Sequence, residues 1–422
     1  MYLTMYLTGL RSRALARLGS PERGATSVLV IILLVPVLFG AAALSIDVGS
    51  LMWERRQLQN GSDAAVTAAA QVCAETPTQC PTGATPALTT LAGANARDNA
   101  ATVTSVCGNS AAQAGVTGLS LCASAGGSPP ANPGITDCPV VPASLSSSTP
   151  YIELRTETKT SAGGSSLTSK IASVVAGTQV NTTVKSCSRA AWGPVSPGSL
   201  TVFPIVMSYC DWAHDTGYTG TPGSATYPPG PLATITPYGY GPANPWTSIT
   251  EKTVYTKGNE GTCTTWNGHT APGNFYSINS GGCTTNSVVG GWVQATTGNS
   301  SPCTNMTTPS GASILGTVIY IPVFDCLSRT DTTVITSTTD CNDGSGTNTY
   351  YHIMGYAAFY VTGWYFSNTT QSSIKSGSAP CNGGDRCMSG WFLKDLVSEG
   401  DITTPTPGGP PNLGLNVVKP VG

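Results

Sequence analysis

Between Gly24 and Ile46 the chain runs for 23 residues without a charge, including Val28-Leu-Val-Ile-Ile-Leu-Leu-Val-Pro36-Val-Leu-Phe39. As a helix rising about 1.5 Å per residue it spans ~35 Å, enough for a hydrocarbon core of ~30 Å. The run therefore predicts a transmembrane helix over 27–46, with Val28, Leu33, Leu34, Pro36 and Phe39 in lipid. Four of the 19 basic residues (Arg11, Arg13, Arg17, Arg23) and one of the 21 acidic ones, Glu22, precede it. The remaining chain from Asp47 holds 15 basic and 20 acidic side chains. That bias predicts a cytoplasmic segment 1–26 and export of the rest. A cleaved signal peptide is the other reading, because Ala41-Ala42-Ala43 follows the apolar run. Its core would be longer than the usual ~7–15 residues.

All fourteen cysteines lie beyond the span, from Cys73 onward. None forms a C-x-x-C pair, and His214, His269 and His352 are scattered, so zinc-ribbon and dithiol redox motifs are absent. An exported disulfide framework fits both facts. Cys326 with Cys341, and Cys381 with Cys387, are candidate local pairs, although spacing alone does not fix connectivity. Charged residues make up only 9% of the chain. A typical soluble protein has about 25%, and so few basic groups offer no footprint for a phosphate backbone, so nucleic acid is not an expected partner.

No G-x-S-x-G, H-E-x-x-H or Walker A motif occurs, so the expectation is no enzyme, no catalytic or metal residues and no cofactor. His214 between Asp211 and Asp215 reads as a solvated loop histidine. Asp343-Gly344 reads as a turn.

Residues 47–73 continue without proline, with Leu44, Leu51, Leu58, Ala65 and Val72 seven apart, and predict an amphipathic helix. Leu51, Leu58, Ala65 and Ala69 are its candidates for packing against other proteins, the alanines permitting close approach of another helix or a sheet. Trp53 beside Arg55 and Arg56 suits the outer membrane interface. Residues 74–192 read as a small α+β region: a short helix over 88–101, a half-buried strand at 151–159, a short helix over 166–175 and a strand over 179–185. Residues 193–402 read as a β domain rich in cysteine and aromatics, with strands near 201–209, 288–294, 317–324 and 356–366. From Thr403 the Pro/Gly-rich chain reads as a flexible tail, 403–422.

Arg23-Gly24-Ala, the apolar run with its internal Pro36, Asp47-Val-Gly49, then Leu58-Gln59-Asn60-Gly-Ser-Asp63-Ala-Ala resemble the N-terminus of TadE/TadG-like proteins of Flp (tight adherence) pilus assembly. The resemblance is close over about 22–72 and looser at Ser188-Arg-Ala-Ala-Trp192-Gly. It implies a pilin-like helix rooted in the membrane, with pilus-assembly or pilin proteins as partners and no catalysis. Leu29 stands where pilins carry a glutamate.

The fold class expected is thus α+β: a transmembrane helix continuing into a long pilin-like helix, then a disulfide-bridged, β-rich exported region at the cell surface or envelope. A rival reading is a carbohydrate-binding adhesin, because Trp212, Tyr218, Tyr227, Tyr238, Tyr240, Trp246 and Trp266 crowd a loop-rich stretch and could stack on a surface glycan. The other role for these rings is to fill a core short of Leu and Ile.

Overall fold

The computed structural model describes residues 22–94, 99, 101–109, 116–122, 138, 149–159, 164, 167–168, 171, 173, 177–179, 181–195, 199–220, 224–228, 249–257, 265–266, 269–270, 277–278, 283–296, 306–308, 311–333, 341, 349–397 and 412–421. A long helix, α1 (Glu22–Glu75), and a short one, α2 (Pro86–Ala94), come first. Then follow β1 (Ala101–Gly108), β2 (Tyr151–Thr158), β3 (Lys185–Pro194), β4 (Ser199–Val202), β5 (Met207–Ser208) and α3 (Tyr209–Thr216). Next are β6 (Lys252–Lys257), β7 (Ser277–Ile278), β8 (Thr285–Val288), β9 (Trp292–Thr296), β10 (Val318–Ser328) and β11 (Tyr350–Tyr365). The last are β12 (Thr370–Gln371), β13 (Arg386–Leu393), β14 (Asp395–Val397) and β15 (Leu415–Pro420).

The architecture mixes helix with much sheet. Sheet one has the order β1-β2-β3-β15-β14, all antiparallel except the β14–β15 pair. Sheet two is organised on the 16-residue strand β11, which pairs with β9, β10, β12 and β13; β6, β7 and β5 extend it. Alternation in β2 explains the layering. Ile152 and Leu154 join Leu58, Ala65 and Ala69 of α1 in one core, while Tyr151, Glu153 and Arg155 point to the opposite face. Both faces of β2 are covered, so it is not the half-buried strand its charge pattern predicts.

The predicted tail needs the largest correction. Leu415–Pro420 is a strand inserted between β3 and β14. Leu415 and Val417 enter a core shared with Trp391 and Leu393 of sheet two, while Val418 packs against the α1 core. The Pro/Gly run before it masked a strand whose alternate residues serve two cores. Sheet one therefore draws on both of the regions that the sequence divides at residue 193.

Smaller corrections share local causes. The helix expected over 88–101 ends at Ala94, and residues 101–108 form β1, held to β2. The segment 288–294 is not one strand: Gly290, at φ +79°, turns the chain between β8 and β9. Pro204 has no N–H for a ladder, and the strand expected over 201–209 splits into β4 and β5. The helix expected over 166–175 falls largely outside the described residues, and Leu167–Thr168 pairs as strand with Asn181–Thr182. His214 lies in α3 rather than a loop. Ser208 caps that helix by accepting from the Asp211 amide at 3.0 Å, and Gly217 closes it at φ +70°. The turn read at Asp343 lies outside the described residues.

Five disulfides join described cysteines: Cys73–Cys80, Cys107–Cys122, Cys138–Cys187, Cys326–Cys341 and Cys381–Cys387. Cys210 and Cys283 are also disulfide-bonded.

Candidate functional site

The site is built along α1. Among the described residues it is the helix long and apolar enough to cross a membrane. Val28, Leu33 and Phe39 are 55%, 69% and 72% exposed, Leu34 is also exposed, and no described side chain covers this stretch. Water would be a poor solvent for so continuous an apolar surface, whereas lipid suits it. Pro36 stands inside the helix without ending it, as transmembrane helices tolerate. Arg23 and Gly24 lie in the first turn; their side chains fall outside the described set.

The helix changes partners beyond Ile46. Asp47 is buried and accepts a bond from the Ile171 amide at 3.4 Å. Gly49 is exposed and Leu51 half-buried. Trp53 stays 59% exposed, on the same side as Met52, Arg56 and Asn60. Leu58, Ala65 and Ala69, expected as contacts for other proteins, are instead buried within the chain against sheet one and α2.

The segment Leu58-Gln-Asn-Gly-Ser-Asp63 forms the seam. Gln59 Nε2 donates to Asp63 Oδ1 at 2.9 Å, to the Cys187 carbonyl at 3.1 Å and to Ser188 Oγ at 2.9 Å. Its Oε1 accepts from Ser186 Oγ at 3.0 Å. Ser62 Oγ bonds Ser186 Oγ at 2.9 Å and Ser188 Oγ at 2.6 Å, and Ser188 also donates to Asp63. Gly61 contributes by its lack of a side chain. A Cβ there would lie 2.1 Å from the Ala92 carbonyl oxygen, so only glycine lets α2 cross this closely. Sequence reading missed Gly61 and Ser62 as contact residues. A glycine inside a helical pattern was the available signal, since it costs about 1 kcal/mol without a packing reason.

On the opposite face of sheet one, Glu153 accepts from Arg189 Nε at 2.6 Å and Arg155 Nε at 3.0 Å. Glu153 and Arg189 are almost wholly buried. Cysteine sulfurs converge on this carboxylate from Cys107–Cys122 and Cys138–Cys187. Both pairs are disulfides, which lack the thiolate a metal would take.

At its far end α1 meets the junction of the sheets. Burial first, then the Asp395 charge, push the Glu75 carboxyl up to about 7, against the opposing pull of Lys394. Burial raises Asp395 as well and lowers Lys394. Tyr320 of β10 donates to Asp395 Oδ2 at 3.1 Å, and the Lys394 ammonium lies 5.9 Å from the Tyr227 ring centroid.

Among the proposed stacking rings, Trp212 is fully buried in the core of sheet two, with Tyr209 5.8 Å and Tyr218 5.2 Å away, and has no face for a sugar. Tyr238, Tyr240 and Trp246 lie outside the described residues, and so does the side chain of Trp266. His214 Nδ1 and Lys252 Nζ each approach Asp215 Oδ1 at 3.6 Å. Burial raises the Asp211 and Asp215 carboxyls.

Among the described residues, one apolar helix long enough to cross a membrane thus continues into a segment packed on a disulfide-bridged sheet. Within it, residues 24–72 match the family model described as putative Flp pilus-assembly TadE/G-like. The match covers the span and the seam and stops just before Cys73. No curated protein and no solved structure matches the chain.

Proposed function

We propose that the chain is a membrane-anchored, non-catalytic component of Flp-type pilus assembly or surface attachment, with its N-terminus cytoplasmic and its sheets exported. The observation that carries this is the unity of α1: one helix of about 80 Å, at 1.5 Å per residue, is bare and apolar in its first half and pinned to a sheet in its second. A position set in the membrane would reach the sheets along this one continuous helix. The family match on that same segment supports the assembly role. The arginines before the span and the oxidised cysteines beyond it support the orientation. Exposed Gly49, Met52, Trp53 and Asn60 are the contact face for other pilus components.

A deletion strain tests the reading. Loss of surface pili and adhesion, restored by the full chain, is the expected result; normal pili and normal adhesion would refute it. Mass spectrometry of the mature N-terminus separates a retained anchor from cleavage after Gly24 or Ala43.

A further inference from the structure

A second polar group lies on sheet two, away from α1. The ladder between β10 and β11 pairs Phe324 with Ile353 and then Cys326 with His352, leaving Asp325 as the extra residue of a β-bulge. Bulges re-aim side chains. This one turns the Asp325 carboxylate to His352, whose Nδ1 lies 2.6 Å from Oδ1. The carboxylate oxygen accepts, so the hydrogen of this contact sits on Nδ1, and Nε2 on the far edge of the ring is turned away from Asp325. Among the described residues neither Nε2 nor Asp325 Oδ2 has a hydrogen-bond partner. The two side chains are 19% and 31% exposed, so solvent and solutes reach both.

The surroundings hold this pair rigidly. Trp292, opposite His352 on β9, lies with its ring centroid 5.1 Å from the imidazole and is part-exposed. Its Nε1 donates to the Thr333 carbonyl at 3.1 Å, which fixes the indole. Thr333 Oγ1 in turn bonds Ser328 Oγ at 2.6 Å and Thr330 Oγ1 at 2.9 Å. The Cys326–Cys341 bridge ties down the strand beside the bulge.

We propose that Trp292, Asp325 and His352 form a subsite for a neutral polyhydroxylated ring, a pyranose. Asp325 Oδ2 takes one ring hydroxyl, Nε2 on the far edge of the imidazole takes another, and the indole faces the ring's C–H groups. A quaternary ammonium would suit the indole and the carboxylate, but it has no N–H or O–H to offer Nε2. Catalysis is not part of the proposal, since among the described residues no hydroxyl or thiol is bonded to Nε2 to serve as a nucleophile. These residues differ from the aromatic group at 212–266 that the sequence brings forward.

The test uses the full chain in bilayer discs of phosphatidylethanolamine, free of sugar and choline headgroups. Methyl glucoside, galactoside and mannoside are titrated by saturation-transfer NMR, with tetramethylammonium as the cationic probe. At least one pyranoside should bind saturably. His352→Phe and Trp292→Leu should each weaken it about tenfold, the scale of a lost polar contact, with the Cys326–Cys341 bridge intact by peptide mapping. No pyranoside binding by the unaltered chain, binding by either variant as tight as by the unaltered chain, or binding of tetramethylammonium alone would each overturn the proposal.

Discussion

The two sheets solve the problem of a low-charge chain in opposite ways. Sheet one is packed with small residues: alanines, Gly61 and serines bring α1 and α2 within backbone distance of their neighbours. Sheet two is filled with large ones, including Trp212, Phe359, Phe392, Met388 and Trp391. A tightly apposed seam has no room to grow, whereas an aromatic core has much volume to lose. The two regions should therefore fail under opposite kinds of substitution, which is a sharper statement than either being stable.

The largest effect expected lies in sheet one. Glu153→Gln leaves the buried Arg189 guanidinium without its counter-charge. Breaking a buried pair from one side costs about 3–5 kcal/mol. A large fall in the thermal midpoint of the disulfide-intact chain is the readout; an unchanged midpoint would mean that the pair is solvated. Close behind is Trp391→Ala in sheet two, where the indole is 1% exposed and lies tilted against Tyr360 with ring centroids 4.7 Å apart. Truncating a buried Trp costs about 3–5 kcal/mol. The opposite change, Gly61→Ala, should behave unlike an ordinary helix substitution. Alanine favours a helix over glycine by about 1 kcal/mol, yet its Cβ would overlap the Ala92 carbonyl. Overpacking of this kind costs about 1–3 kcal/mol, so net destabilisation is expected, and a raised midpoint would break the small-residue account of the seam.

What was legible in the sequence follows the same division. The apolar helix, its continuation and the strong strands β10 and β11 were readable because apolar length and β-branched or aromatic runs are local signals. Cys326–Cys341 and Cys381–Cys387, close in sequence, are joined in the structure. The pairing of Ser186 and Ser188 with Gln59 and Ser62 was not readable, because it joins residues more than a hundred positions apart. Nor was β15, whose partners β3 and β14 are fixed only by the tertiary fold. The Asp325–His352 contact depends on one bulge residue, and spacing does not announce a bulge.

A smaller, pH-dependent effect is expected where the two sheets meet α1. The folded-state pKa of Glu75, about 7, lies above its ordinary 4.5, so the folded chain holds this proton more tightly than the unfolded one. Its contribution is therefore intact at acid pH and is lost as pH rises from 4.5 through about 7. Asp395, raised by burial, acts in the same direction. Screening at a part-exposed carboxyl reduces the effect to of order 1 kcal/mol. Melting curves across that interval should show a decline that Glu75→Gln flattens. An equal decline in the variant would assign the titration elsewhere.

The smallest effect on the fold distinguishes packing within the chain from packing between chains. Gly49 sits on the same helix as Gly61, but nothing lies within 4 Å of a Cβ built there. Gly49→Ala should thus stabilise by a few tenths to about 1 kcal/mol, the helix preference unopposed. Gly49→Leu should likewise leave the midpoint unharmed. If the exposed side of α1 is where other pilus components pack, the leucine should still reduce surface pili, because a bulky side chain holds an approaching helix away. Intact fold with fewer pili would separate the two glycines by partner: Gly61 for α2, Gly49 for another chain. Intact fold with normal pili would remove this side of α1 from the assembly surface and leave the glycine at position 49 without a contact to explain it.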